Sequence, residues 1–253
     1  MFVEVVRDAD AMSERGAALM AAQIRAEPRS VLGFATGSTP LGMYRRLIEL
    51  HRSEGLDFSR LTTFNLDEYV GLPSGHEQSY HRFMWENLFD HVNVDSDRVH
   101  IPDGTADDID RYCADYERRI EEAGGIDLQV LGIGANGHLA FNEPGSSLGS
   151  RTRQKPLTHK TVHDNARFFE NEEDVPTSAI TMGIGTIMDA RKLLLLANGS
   201  GKADAIRATL EGPVTAMVPA TMVQLHRHAH IIIDEAAASK LEYRHHHGIS
   251  EPK

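Results

Sequence analysis

One cysteine, no long apolar run and a shortage of positive charge bound what this chain can be before any motif is read. With Cys113 alone among 253 residues, no intrachain disulfide can form. Its place in the helical pattern IDRYCADYERRI marks a small packed side chain rather than a nucleophile. No stretch of 18 apolar residues occurs, which excludes a membrane-spanning helix. The opening MFVEVVRDAD carries early acids instead of an apolar signal core, so a cytoplasmic protein is expected. Only 26 Lys and Arg stand against 37 Asp and Glu, a formal net charge of -11. Such a surface repels nucleic acid and anionic membrane, and neither is expected as a partner. An anionic ligand must then be held by a local basic pocket.

What the chain does have is apolar material, 41% of its residues, enough for a large core. Short aliphatic or β-branched runs, SVLGFAT, LTTFNLDEY, IDLQVLGIG, KLLLLANG and AHIIIDE, read as strands. Between them lie amphipathic segments read as helices: PLGMYRRLIELHRSEG, with Pro40 at its first position and Gly55 as its stop, QSYHRFMWENLFDHV, DDIDRYCADYERRIEEAGG and GKADAIRATLEG. Weaker helical patterns lie near the N-terminus and around Val218 to His226. This alternation predicts an α/β fold, a mainly parallel sheet covered by helices. No repeat or linker divides it, so one catalytic domain over 1–253 is expected, with 243–253 a short flexible tail. The region from Gly145 to Thr177 is too polar for core and reads as a lid or binding loop.

Ligands of open α/β sheets gather beyond the carboxyl ends of the strands. One such end, GIGANGHLAFNEP, spells G-x-G-x-x-G through Gly132, Gly134 and Gly137. A dinucleotide site also needs a helix opening at the third glycine and an acid about 20 residues on. Pro144 and Gly145 stop any helix, and no acid stands at that distance, so the glycines serve something else. They let the backbone turn sharply around His138, with Asn136 and Glu143 close in sequence, which is equipment for proton transfer.

Three other strand ends carry candidate chemistry. ATGSTP offers Thr36, Gly37, Ser38 and Thr39 before a helix, where backbone N–H groups, hydroxyls and the helix dipole suit a phosphate. An ordinary capped βα turn reads the same way from this stretch alone. NLDEYVG ends a strand with Asp67 and Glu68, which point to opposite faces, so one of them at most faces a given pocket. A carboxylate in an apolar cleft has a raised pKa, as suits a general base abstracting a proton beside a carbonyl. Arg167 in DNARFF and Lys202 in NGSGKADA are candidate anion ligands, Lys202 because a cation at a helix start is otherwise disfavoured.

Together TGSTP, FNLDEYVGLP, GIGANGHLAFNEPGSSLGSRTR, NARFF and GSGKA, in this order, closely resemble the glucosamine-6-phosphate deaminase family, from about Val31 to Glu235. The resemblance implies a Rossmann-like fold shared with ribose-5-phosphate isomerase and CoA transferases. It implies conversion of glucosamine 6-phosphate and water into fructose 6-phosphate and ammonia, with no metal or redox cofactor. By similarity, His138 assists ring opening with Glu143 supporting it, and Asp67 moves the C2 proton to C1. The phosphate rests on Thr36, Gly37, Ser38 and Thr39 with Arg167 and Lys202. A homo-oligomer, a hexamer in the allosteric members, is also implied.

The chain departs from the family pattern twice. Well-studied members carry Asp where Asn136 stands; Asn can still hydrogen-bond the imidazole but supplies no charge, so it is read as an orienting residue. Positions matching the effector site, Ser146, Ser147, Arg153 and Lys155, are present, but the tail YRHHHGISEPK does not align with the segment that supplies a tyrosine to that site. A weakly allosteric or non-allosteric enzyme is therefore expected. The tail histidines His245, His246 and His247 read as solvated rather than as metal ligands. Two rival readings stay open: a 6-phosphogluconolactonase, which leaves Asp67 unexplained, and a sugar-phosphate sensor of a transcription regulator, which lacks its basic helix-turn-helix.

Overall fold

A run such as LLLLA, with no polar alternation, can only be buried on both faces, and this is where the chain puts it. In the computed structural model, which describes residues 1–157, 175–246 and 249–252, Leu193–Ala197 is β9, buried at every position. It lies inside a seven-stranded sheet ordered β1-β10-β9-β6-β2-β3-β5, all of whose pairings are parallel. The other members are β1 (Phe2–Val6), β2 (Val31–Phe34), β3 (Thr62–Asn65), β5 (Val99–His100), β6 (Leu128–Leu131) and β10 (Ala229–Asp234). A mainly parallel sheet covered by helices was the expected architecture, and it is the one found. Phe2–Val6, not read as a strand in the sequence, forms the edge beside β10.

Helices α1 (Ala9–Ala26), α2 (Leu41–Glu54), α3 (Tyr80–Asn87) and α4 (Ile109–Glu122) follow the predicted amphipathic segments. They are joined by α5 (Ile184–Met188) and α6 (Ala203–Glu211). In α1 the buried stripe Met12, Gly16, Met20, Ile24 keeps a four-residue spacing, and the Asp8 side chain caps the start by accepting from the Ala11 N–H. Gly55 stops α2 in the left-handed conformation as expected, while Pro40 stands one residue earlier than expected, at the N-cap. Val218 to His226 forms a 3₁₀ helix over Pro219–Leu225. Cys113 is buried, and burial pushes its thiol up to about 11, so it stays a packed thiol. One apolar cluster runs from Val3 to Leu241.

Two expectations need correction. LTTFNLDEY is not one strand: β3 ends at Asn65, and β4 (Asp67–Tyr69) belongs to a second, antiparallel sheet, β4-β8-β7, with β7 at Arg153–Pro156 and β8 at Ser178–Thr181. Leu66 is the crossing point. Its N–H still donates to Phe34 O in the large sheet, while its C=O accepts from Met182 N beside the small one. The second correction follows, since β7 falls inside the stretch read as all loop. Its half-buried alternation along RQKP is too short and too polar to announce a strand. Within the expected tail, the backbone pairs β11 (Tyr243–His246) with β12 (Ile249–Pro252). No helix among the described residues is long and apolar enough to cross a membrane.

Candidate active site

Because the strands are parallel, their carboxyl ends open on one edge, and the loops beyond them enclose a cleft of about 610 Å³. This lies within the usual range for small-molecule sites. Its walls come from the exits of four strands: Thr36 to Thr39 after β2, Asp67 and Tyr69 beyond β3, Gly132, Gly134 and His138 after β6, and Lys202 after β9.

Asp67 enters the cleft because the chain changes sheets at Leu66. It pairs with Thr181 in β4-β8, is 6% exposed, and its carboxylate makes no hydrogen bond or ion pair among the described residues. Burial, and then the charge of Glu68, push its carboxyl up to about 8. The alternation of a strand sends Glu68 the other way. Its carboxylate accepts from the N–H groups of Tyr69, Tyr80 and His81 at 2.8, 3.0 and 2.8 Å, the last two being donors that the first turn of α3 leaves unpaired. Glu68 is therefore structural, its pKa raised by burial against the opposing pull of those three donors. Tyr69 returns to the face of Asp67 and packs with Tyr80 and Phe141, the Tyr80 and Phe141 rings stacked at 6.1 Å. These aromatic walls were not singled out from the sequence, although the two-residue period from Asp67 marks Tyr69.

No helix opens at Gly137, so the glycine-rich stretch is not a dinucleotide turn. Gly137 (φ 82) bends the loop back, its N–H donating to Gly134 O, and Gly134 N–H donates to His138 O at 3.0 Å. A methyl on Gly134 would sit 2.2 Å from the His138 ring, so the imidazole lies flat against bare backbone. His138 Nδ1 is 3.5 Å from Glu143 Oε1, a charge contact without hydrogen-bond geometry. Asn136 departs from expectation. Its amide donates to Glu143 Oε2 at 2.7 Å, and its oxygen accepts from the His138 backbone N–H at 3.2 Å, so it holds the carboxylate and the loop rather than the ring. An amide satisfies a carboxylate only as a donor, and Asn136 turns its NH2 to Glu143 rather than to the ring.

Thr36, Gly37, Ser38 and Thr39 line the cleft together with Lys202, the last residue of a 3₁₀ turn, Ser200–Lys202, before α6. The Lys202 ammonium has no partner among the described residues, and burial lowers its pKa. A half-buried cation and a hydroxyl-rich loop lining the same cleft are chemistry that suits an anion. Arg167 lies outside the described residues. Ser146, Ser147, Arg153 and Lys155 lie outside the cleft wall. Ser146 is buried, and Arg153 donates to Asn142 Oδ1 at 3.0 Å and to Arg151 O at 3.2 Å.

Comparison with known proteins agrees with this geometry. The family model of glucosamine-6-phosphate isomerases/6-phosphogluconolactonase matches residues 7–232. A glucosamine-6-phosphate deaminase of Alkaliphilus oremlandii is 53% identical over 241 residues, 95% of this chain and all of that one. Another, from Clostridioides difficile, is 52% identical over 95% of this chain and 97% of its own. Among solved structures, a monomeric glucosamine-6-phosphate deaminase superposes with a TM-score of 0.92 at 44% identity, covering 95% of this chain and 100% of that one. A 6-phosphogluconolactonase from Trypanosoma brucei shares the fold, with a TM-score of 0.74 at 20% identity over 95% of this chain and 98% of its own.

Proposed function

This chain belongs to the glucosamine-6-phosphate isomerase/6-phosphogluconolactonase family, in its glucosamine-6-phosphate deaminase branch, and from that premise we propose that it turns glucosamine 6-phosphate and water into fructose 6-phosphate and ammonia. The observation that carries this reading is the pairing, in one cleft, of a buried carboxylate without a partner among the described residues, Asp67, with the loop histidine His138 backed by Glu143. A lactonase needs no base at C2, and Asp67 would then be buried at a cost with no return.

The phosphate sits against Thr36, Gly37, Ser38 and Thr39 with Lys202, and Arg167 is proposed to add a second cation. His138 passes a proton between the anomeric hydroxyl and the ring oxygen to open the pyranose, and Glu143 stabilises the imidazolium that forms. Asp67 then removes the C2 proton and returns a proton to C1, leaving a C2 imine. Water adds to the imine carbon, the C–N bond breaks, and ammonia leaves as the ketone forms. Asn136 orients Glu143 and through it His138. The direct test is to replace Asp67 by Asn and follow ammonia release: turnover falls roughly 100- to 10,000-fold with KM little changed, the usual range for a positioned base. Near-normal turnover removes Asp67 from the role.

The homo-oligomer implied by resemblance is set against the monomeric relative, and we read this chain as a monomer acting in the cytoplasm as one catalytic domain. Arg153, already held by Asn142 and Arg151, supports weak or absent control through Ser146, Ser147, Arg153 and Lys155.

A further inference from the structure

The phosphate end of the cleft is built on two short loops, and each is fastened by a buried side chain that does not line the cleft. At the exit of β2, the ladder to β3 stops with Phe34 and Asn65, and the pairing with β6 has already ended at Gly33. Ala35 is 4% exposed, so its N–H and C=O would be buried without partners. One hydroxyl serves both. Tyr44 Oη donates to Ala35 O at 2.5 Å and accepts from Ala35 N–H at 3.2 Å. Tyr44 lies in the first turn of α2 and is fully buried, so it ties the strand end to the helix start and spans Thr36 to Pro40 from both sides.

At the exit of β9 a carboxylate does the corresponding work. Asp234, the last residue of β10 and 7% exposed, accepts from Gly199 N–H with both oxygens at 3.0 Å and from Ala237 N–H at 2.7 Å. Gly199 O in turn accepts from the Lys202 N–H at 3.0 Å. The turn that carries Lys202 is thus anchored to the neighbouring strand.

We propose that Tyr44 and Asp234 are positioning residues for the phosphate of the substrate, acting only through the backbone of Ala35 and Gly199. The proposal rests on the reading of Thr36 to Thr39 and Lys202 as the phosphate site. Their removal loosens the site where binding energy is collected while leaving Asp67 and His138 in place, so KM moves and kcat does not.

The test uses the full chain with Tyr44→Phe, Asp234→Ala and Asp234→Asn. Kinetics with glucosamine 6-phosphate are read beside calorimetric titration with inorganic phosphate. Tyr44→Phe and Asp234→Ala are expected to raise KM and to weaken phosphate binding on the order of 10-fold each. Both keep kcat within about twofold, since the reacting groups are untouched. Asp234→Asn keeps one acceptor oxygen and recovers most of the loss, which a purely structural defect would not show. Should one variant fail to fold, the other residue's variants decide. Unchanged KM and phosphate affinity in folded variants, or a fall in kcat with phosphate binding intact, overturns the proposal. If the wild type releases no ammonia, the deaminase reading falls by itself, and the phosphate titration still judges Tyr44 and Asp234.

Discussion

Asp67 stands at a thermodynamic disadvantage that its neighbours do nothing to relieve. Burial and the adjacent Glu68 hold its carboxyl near 8, against an ordinary value of 3.8. Below about pH 4 both the folded and unfolded chains carry the proton and Asp67 costs nothing. As pH rises toward 8 the unfolded chain loses its proton while the folded one keeps it, so this group subtracts stability progressively, and in full above 8. Asp67→Asn lacks the penalty. Thermal melts should therefore show the variant more stable than wild type at pH 8–9, by several degrees at roughly 2–4 °C per kcal/mol for a chain of this size. The gain should vanish near pH 4. Loss of activity with a gain in stability separates a catalytic carboxylate from a structural one.

The same shift fixes the acid limb of kcat/KM, because the base must be ionised in the free enzyme. Activity is expected to fall as pH drops below about 8. Since the Glu68 charge contributes to the shift, Glu68→Gln should move the limb to lower pH. A limb that stays in place means that another group titrates. At Asn136 the contact with Glu143 at 2.7 Å makes a second carboxylate costly, since two so close share a proton. Asn136→Asp is expected to move the acid limb of kcat upward, read from kcat profiles of both proteins; an unchanged profile contradicts the contact.

Among the elements, the stretch Gly132 to Pro144 shows how far sequence reasoning reaches. That its glycines serve a histidine follows from Pro144 and Gly145 stopping any helix. Which glycine matters does not follow, because the approach of the His138 ring to Gly134 depends on the loop folding back through Gly137. Gly134→Ala places a methyl 2.2 Å from the ring and should lower kcat roughly 10- to 100-fold by displacing the imidazole, with far-UV circular dichroism unchanged. Normal kcat would show that the ring has room elsewhere. The five inner strands of the large sheet, β2, β3, β6, β9 and β10, were legible because near-complete burial leaves them largely apolar, whereas the half-exposed edge strands β1 and β5 were not. Those of β4-β8-β7 were not, being three or four residues long and paired across long stretches of sequence. Asn136 was read as an orienting residue, and its contact with Glu143 was not legible, because the choice between ring and carboxylate is made by the turn.

For the molecule as a whole the net charge is -11, yet the cleft is lined by a lysine, Lys202, and a carboxylate, Asp67, neither of which has a partner among the described residues. Under the proposed function, local placement of charge, invisible in the total, is what would admit a sugar phosphate. Sedimentation of the purified chain should give a monomer of 28.0 kDa. Substrate saturation should be hyperbolic and indifferent to N-acetylglucosamine 6-phosphate. Sigmoidal saturation that the effector abolishes would restore the hexamer and its site at Ser146, Ser147, Arg153 and Lys155.

The most direct test of the account is the stoichiometry of products from glucosamine 6-phosphate incubated with the purified chain. One ammonia and one fructose 6-phosphate should appear for each substrate consumed, with both nearly lost in Asp67→Asn. Tight binding of glucosamine 6-phosphate without ammonia release, or hydrolysis of 6-phosphogluconolactone in its place, would contradict it.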